Sequence, residues 1–149
     1  MQEQAQIVIS TDKSLLDLDV IYNFLSSSYW AKDRPLSVTK KSIENSLTFG
    51  VYLEEKQIGF ARVVTDYATF AYLADVFILD VYRGKGYSKE LIKRITTHPE
   101  LQTVRRWMLA TKDAHKLYSK FGFRVLRNHE RFMEMIGNSA ESRGIEKTL

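Results

Sequence analysis

Apolar and polar positions along the chain change period several times, and each change marks a predicted element. Gln6 to Ser10 alternates as a strand. Asp12 or Ser14 then reads as the cap of a helix to Ser28, with Leu15, Leu18, Ile21 and Leu25 along one face. Ser26 to Pro35 is a polar and aromatic loop, and Ser37 opens a short helix to Leu47 with Ile43 and Leu47 inward. Phe49–Leu53 and Ile58–Val64 flank Glu54-Glu55-Lys56-Gln57, a hairpin pattern. A turn at Asp66 leads to Tyr72–Leu79, apolar enough for a central strand.

After that strand the chain turns through Arg83-Gly84-Lys85-Gly86-Tyr87-Ser88 and re-emerges as a helix from Tyr87 to Thr97, stopped near Pro99. Trp107–Ala110 is a further strand, Ala114–Phe121 a helix ended by Gly122, and Phe123–Leu126 with Phe132–Ile136 an antiparallel pair. The sum is an α/β (α+β) domain: a mixed, mostly antiparallel sheet of about seven strands flanked by about four helices. It spans residues 1–136, and a polar tail fills 137–149.

Composition narrows the chemistry. A length of 149 residues with 44% hydrophobic and 27% charged content is that of one globular domain. There is no cysteine, which excludes disulfides, thiolate metal sites and thiol nucleophiles. His98, His115 and His129 lack metal-ligand spacing, so no metal is expected. The N-terminus lacks a signal-peptide pattern and no apolar run is long enough for a membrane span, so a cytoplasmic protein without a membrane partner is expected.

The net charge of +4 is unevenly spread. Residues 1–82 carry 7 basic and 11 acidic groups (−4), whereas Arg83–Arg131 carries 13 basic and 4 acidic (+9). The positive field thus begins at the glycine turn. A strand-to-helix turn gathers unpaired N–H groups at the positive end of the helix dipole. Gly84 and Gly86 admit a bulky anion close to the backbone, and Arg83 and Lys85 add full charges. A phosphate-bearing ligand fits that combination.

A second signal lies about thirty residues on: Leu117-Tyr118-x-Lys120-x-Gly122-Phe123, at the end of a helix. Together with Arg83-x-x-Gly86-x-Ser88 and this order of elements, it resembles the GNAT superfamily of N-acetyltransferases, over Gln6 to Ile136. The resemblance implies acetyl-CoA as co-substrate. Its pyrophosphate would lie on Arg83, Gly84, Lys85, Gly86, Tyr87, Ser88 and Lys89, its pantetheine arm on Val76, Phe77 and Ile78, with Thr111 and Lys120 nearby. Two positions depart from the family pattern: Ser88 stands where glycine or alanine is usual, and Thr111 where asparagine is frequent.

Acyl transfer to an amine needs a polarised carbonyl and a proton for the leaving thiolate. Tyr118 suits the donor role, since a phenol of pKa about 10 is protonated at neutral pH; its plainer reading is a packing tyrosine. Asp75, on the central strand, is either a general base or a structural carboxylate, and a water chain is the alternative base. Tyr29, Trp30 and Arg34 in the first interhelical loop, with Arg62 on a strand, are the expected acceptor-binding residues. The acceptor is then a primary amine of a small molecule or peptide, and a homodimer is allowed. Two other readings remain: an acyl-CoA-binding sensor without catalysis, and nucleic-acid binding through the basic segment. The second is disfavoured because the basic residues cluster at the anion turn and on helix faces rather than among aromatics.

Overall fold

The computed structural model describes residues 6–139. Five strands form one sheet in sequential order: β1 (Val8–Ser10), β2 (Leu47–Leu53), β3 (Lys56–Thr65), β4 (Phe70–Ile78) and β5 (Arg106–Leu109). The first four run antiparallel, and β5 lies parallel to β4. Helices α1 (Leu18–Ser27) and α2 (Leu36–Glu44) separate β1 from β2. Helix α3 (Tyr87–Thr96) crosses from β4 to β5, and α4 (His115–Ser119) follows β5.

Alternation along β2 explains the two cores. Leu47, Phe49 and Val51 join Ala61, Val63, Ala71 and Leu73 against Leu91, Ile92 and Ile95 of α3. The positions 87, 91, 92 and 95 share one helical face, which is why α3 lies flat on the sheet. Each of the three aliphatic side chains is fully buried, contributing about 1.5–3 kcal/mol. On the opposite sheet face, Phe60 and Phe77 pack with Ile21, Leu25 and Ala31. Phe77 lies stacked on Phe24 of α1 at 4.0 Å between ring centroids.

Two boundaries differ from expectation because side-chain capping decides them. Asp12 caps only a 3-10 turn, while Asp17 starts α1 by accepting from the N–H groups of Asp19 (3.1 Å) and Val20 (3.2 Å). Gln57 fixes that start to β3: its Oε1 accepts from Asp17 N at 2.6 Å and its Nε2 donates to the Gly59 carbonyl at 3.0 Å. Helix α2 ends at Glu44, and Leu47 lies in β2 instead.

A larger correction concerns the C-terminal pair. The sheet has five strands among the described residues, not about seven, because Phe123–Leu126 and Phe132–Ile136 pair with nothing in it. Gly122 (φ +94°) and Asn128 (φ +53°) redirect the chain, a 3-10 turn covers His129–Arg131, and Val125, Met133 and Met135 face solvent. The predicted tail from Gly137 falls, past residue 139, outside the described residues, as does the N-terminal stretch 1–5.

Candidate active site

The site is opened by a break in β4. That strand pairs with β3 from Ala71 to Ile78 across one irregularity, but with β5 only from Phe70↔Arg106 to Leu73↔Leu109. Between the pairs Arg62↔Ala74 and Phe60↔Phe77, β4 holds two residues, Asp75 and Val76, against Ala61 alone. This is a bulge, and Asp75 takes its left-handed position at φ +53°. A non-glycine residue there costs on the order of 1–2 kcal/mol, so other contacts must hold it.

They are supplied by a buried cage. Asp75 Oδ2 accepts from Arg34 Nη1 and Arg62 Nε, each at 2.7 Å, and Oδ1 accepts from Trp30 Nε1 at 2.9 Å. Arg62 Nη1 also donates to Ser46 Oγ at 3.3 Å. Burial alone would raise the Asp75 pKa, but the Arg62 and Arg34 guanidiniums outweigh it and leave the carboxyl below its usual value. The cage links the α1–α2 loop, which carries Trp30 and Arg34, to the strand that leads into the glycine turn.

In front of the bulge lies a cleft of about 590 Å³. It is lined by Val76, Phe77 and Ile78 of β4, Tyr29 and Trp30 of the α1–α2 loop, Thr111 and Tyr118, and Arg83 and Ser88 of the glycine turn. Thr111 Oγ1 accepts from Ala114 N at 3.0 Å, ordering the entry to α4. Desolvation of the phenol pushes the Tyr118 pKa up to about 12, so it stays protonated at neutral pH. Arg34, Arg62 and Asp75 do not line the cleft; they stand behind its wall. Phe24, Ser27, Asp80 and Asp113 do line it and had no motif to announce them.

The cleft continues into a groove of about 280 Å³ at the glycine turn, sharing Ile78, Arg83, Ser88 and Leu117. Gly84 (φ +80°) and Gly86 (φ +83°) adopt left-handed backbone. A Cβ at either would meet nothing within 4 Å, so the space before them is open to a ligand. Gly86 is the N-cap of α3 and offers no side chain to the first-turn N–H groups. Arg83 is steered by its Nε donating to the Ile78 carbonyl (3.1 Å) and by Asp80 (3.1 Å). Lys89 lies beside Lys120 and lowers its pKa, a like-charge contact that an anion would relieve. Amides, open glycines and paired lysines are a donor set suited to phosphate.

Residues 44–125 match the family model described as an acetyltransferase (GNAT) domain. The chain belongs to the GNAT acetyltransferases. A Gibberella zeae protein assigned by name to the acetyltransferases is 33% identical over 136 aligned residues, 76% of this chain and 76% of the relative. A solved GNAT-family protein from Xanthomonas campestris pv. campestris is 47% identical, with a TM-score of 0.86, covering 89% of this chain and 94% of that one. An acetyltransferase of Clostridium acetobutylicum solved with acetyl-CoA shares the fold at 11% identity and a TM-score of 0.64, covering 89% of this chain and 96% of that one. This GNAT domain is thus an acyltransferase, and no helix among its described residues is long and apolar enough to cross a membrane. The described residues also contain no cluster of three or more His, Cys, Asp or Glu side chains able to hold a metal ion.

Proposed function

We propose that this protein moves the acetyl group of acetyl-CoA to the primary amine of a small molecule or peptide, by direct attack in the cleft. The observation that carries the reading is the continuity of that cleft. It runs from the open glycines and uncapped start of α3 to the protonated Tyr118. The residues of the turn (Arg83, Gly84, Lys85, Gly86, Tyr87, Ser88), with Lys89 and Lys120, hold the pyrophosphate. Val76, Phe77 and Ile78 receive the pantetheine arm on the stretch of β4 beyond its pairing with β5, and Thr111 lines the same cleft. Acetyl-CoA, when bound, supplies an acetyl group activated as a thioester.

The acceptor enters beside Tyr29 and Trp30, whose rings meet edge to face at 5.2 Å, and Asp113 in the cleft wall attracts an amine. In the transfer an N–C bond forms, the C–S bond breaks, and one proton passes from the amine to the departing sulfur. Tyr118 acts at that sulfur as hydrogen-bond donor. A phenol at about 12 against a thiol near ~8.5 makes complete proton loss uphill by roughly 3.5 units, or about 5 kcal/mol. Tyr118 therefore donates as general acid in step with return of the amine's proton, which water carries.

Asp75 is a positioning residue in this scheme. Its three acceptor bonds and lowered pKa make it a poor base, and its charge keeps the bulge and the α1–α2 loop in place. Arg34 and Arg62 serve the same cage. The test is an acetyl-CoA turnover assay on a broad amine and peptide library, reading both free thiol and acetylated product by mass. Thiol release without any acetylated amine would sink the proposal.

A further inference from the structure

A lysine stands at the edge of the cleft with no part in the scheme above. Lys112 is exposed in the loop between β5 and α4, and its neighbours on both sides, Thr111 and Asp113, line the cleft. The α1–α2 loop holds it there through Tyr29. The Lys112 backbone N–H donates to the Tyr29 hydroxyl at 3.3 Å, and its Nζ lies 5.4 Å from the centroid of the Tyr29 ring. A cation over a phenol ring is attracted by the ring quadrupole. Tyr29 and Tyr118 line the same cleft, and charge on Tyr29 raises the Tyr118 pKa. The Lys112 ammonium therefore rests on the aromatic side chain beside which the acceptor amine enters, with the Asp113 carboxylate one residue away.

We propose that Lys112 is an acceptor in its own right: with acetyl-CoA bound and no amine substrate in the cleft, the protein acetylates Lys112 Nζ of its own chain. The inference rests on the acetyl-transfer reading above and adds a modification site to it. Lys89 and Lys120 belong to the pyrophosphate end, whereas Lys112 lies at the end where the amine is needed. In the step, the neutral Nζ attacks the thioester carbonyl and the N–C bond forms. The C–S bond breaks with its electron pair on sulfur. The one proton that Nζ loses ends on the departing thiol, by way of water and Tyr118, so the products are an acetyl-lysine and CoA with no further reactant. An alkylammonium is mostly protonated at neutral pH, but tethering raises the effective concentration of the amine and offsets its small neutral fraction. Acetylation removes the positive charge, and with it the attraction to the Tyr29 ring. A free acceptor competes with Lys112 for the same thioester, so the modification accumulates when acceptor is scarce.

The test incubates the full chain with acetyl-CoA and no added amine, and maps the acetylated lysines by peptide mass. Lys112 is expected to gain an acetyl group at least ~10-fold faster than Lys13 and Lys56, exposed lysines that report chemical acetylation in the same sample. The rate per chain should be independent of protein concentration, as for transfer within one molecule. Tyr118→Phe should slow the reaction at Lys112 and leave Lys13 and Lys56 unaffected. Lys112→Arg keeps a cation for Tyr29 and should abolish the modification while amines of the library are still acetylated. Modification of Lys112 no faster than Lys13 and Lys56, indifferent to Tyr118→Phe, or at a rate per chain that grows with protein concentration, overturns the proposal. Acetylation of a library amine by a wild type whose Lys112 stays unmodified without that amine also overturns it, and leaves the acetyl-transfer reading standing. Acetylation of neither removes both.

Discussion

Replacing Asp75 by asparagine separates a positioning carboxylate from a catalytic base. The amide keeps the shape and tolerates the left-handed backbone, but removes the charge that two largely buried guanidiniums face at 2.7 Å. Breaking a buried pair from one side costs about 3–5 kcal/mol, and a cage with two arginines belongs in that range. For a domain of this size each kcal/mol lowers Tm by roughly 2–8 °C, so the variant is expected to melt at least about 6 °C below wild type. The pH dependence has a definite sign. The folded-state pKa is lowered, so the charge contributes stability above the unfolded value near 3.8, and that contribution is lost as pH falls through the folded value. The gap between wild type and Asp75→Asn should therefore be widest at neutral pH and close in acid. Guanidinium titrations at several pH values measure it, alongside pH–rate profiles at a temperature where both proteins are folded. A wild-type stability for the variant would refute the cage. Normal stability and cofactor affinity with turnover reduced ~100-fold or more, the scale of a lost base, would restore Asp75 as the base.

Other outcomes follow from the same geometry. Tyr118→Phe should lower kcat by ~100-fold or more with little change in KM for acetyl-CoA. In wild type, no ionisation of Tyr118 should shape the kcat profile until pH approaches about 12; its raised pKa instead contributes stability that is lost as pH rises from 10 toward 12, which alkaline unfolding would detect. Gly86→Ala meets no atom within 4 Å yet must hold φ +83°, so calorimetry should show roughly 1–2 kcal/mol of lost stability together with weaker acetyl-CoA binding. Thr48→Val should raise stability by about 1 kcal/mol in denaturant titrations, because the Thr48 hydroxyl is buried with no hydrogen-bond partner among the described residues.

Sequence periodicity located the elements that pack on their own chain. The glycine turn, α3 and the stretch from Trp107 to Gly122 were legible because apolar spacing and glycine act locally there. The bulge was not. Ala74-Asp75-Val76 carries no glycine, and the distant Trp30, Arg34 and Arg62 hold Asp75 in its left-handed conformation. That same distance explains why Arg34 and Arg62 read as acceptor ligands, although they stand behind the cleft wall. Asp113 and Phe24 entered the cleft through topology alone. The apolar runs at Phe123–Leu126 and Phe132–Ile136 show that a face needs burial, without saying which surface provides it.

The central claim, that the turn from Arg83 to Lys89 holds the pyrophosphate of acetyl-CoA, is tested most directly by calorimetric titration. Acetyl-CoA and acetyl-pantetheine, which lacks the pyrophosphate, would each be titrated into the wild-type protein and into Lys89→Ala with Lys120→Ala. The account predicts that acetyl-CoA binds wild type at least ~100-fold more tightly than acetyl-pantetheine, the worth of two or more charge-assisted hydrogen bonds, and that the lysine substitutions and added salt erode that advantage. Equal affinity for the two ligands, or an acetyl-CoA affinity indifferent to both lysines and salt, would contradict it.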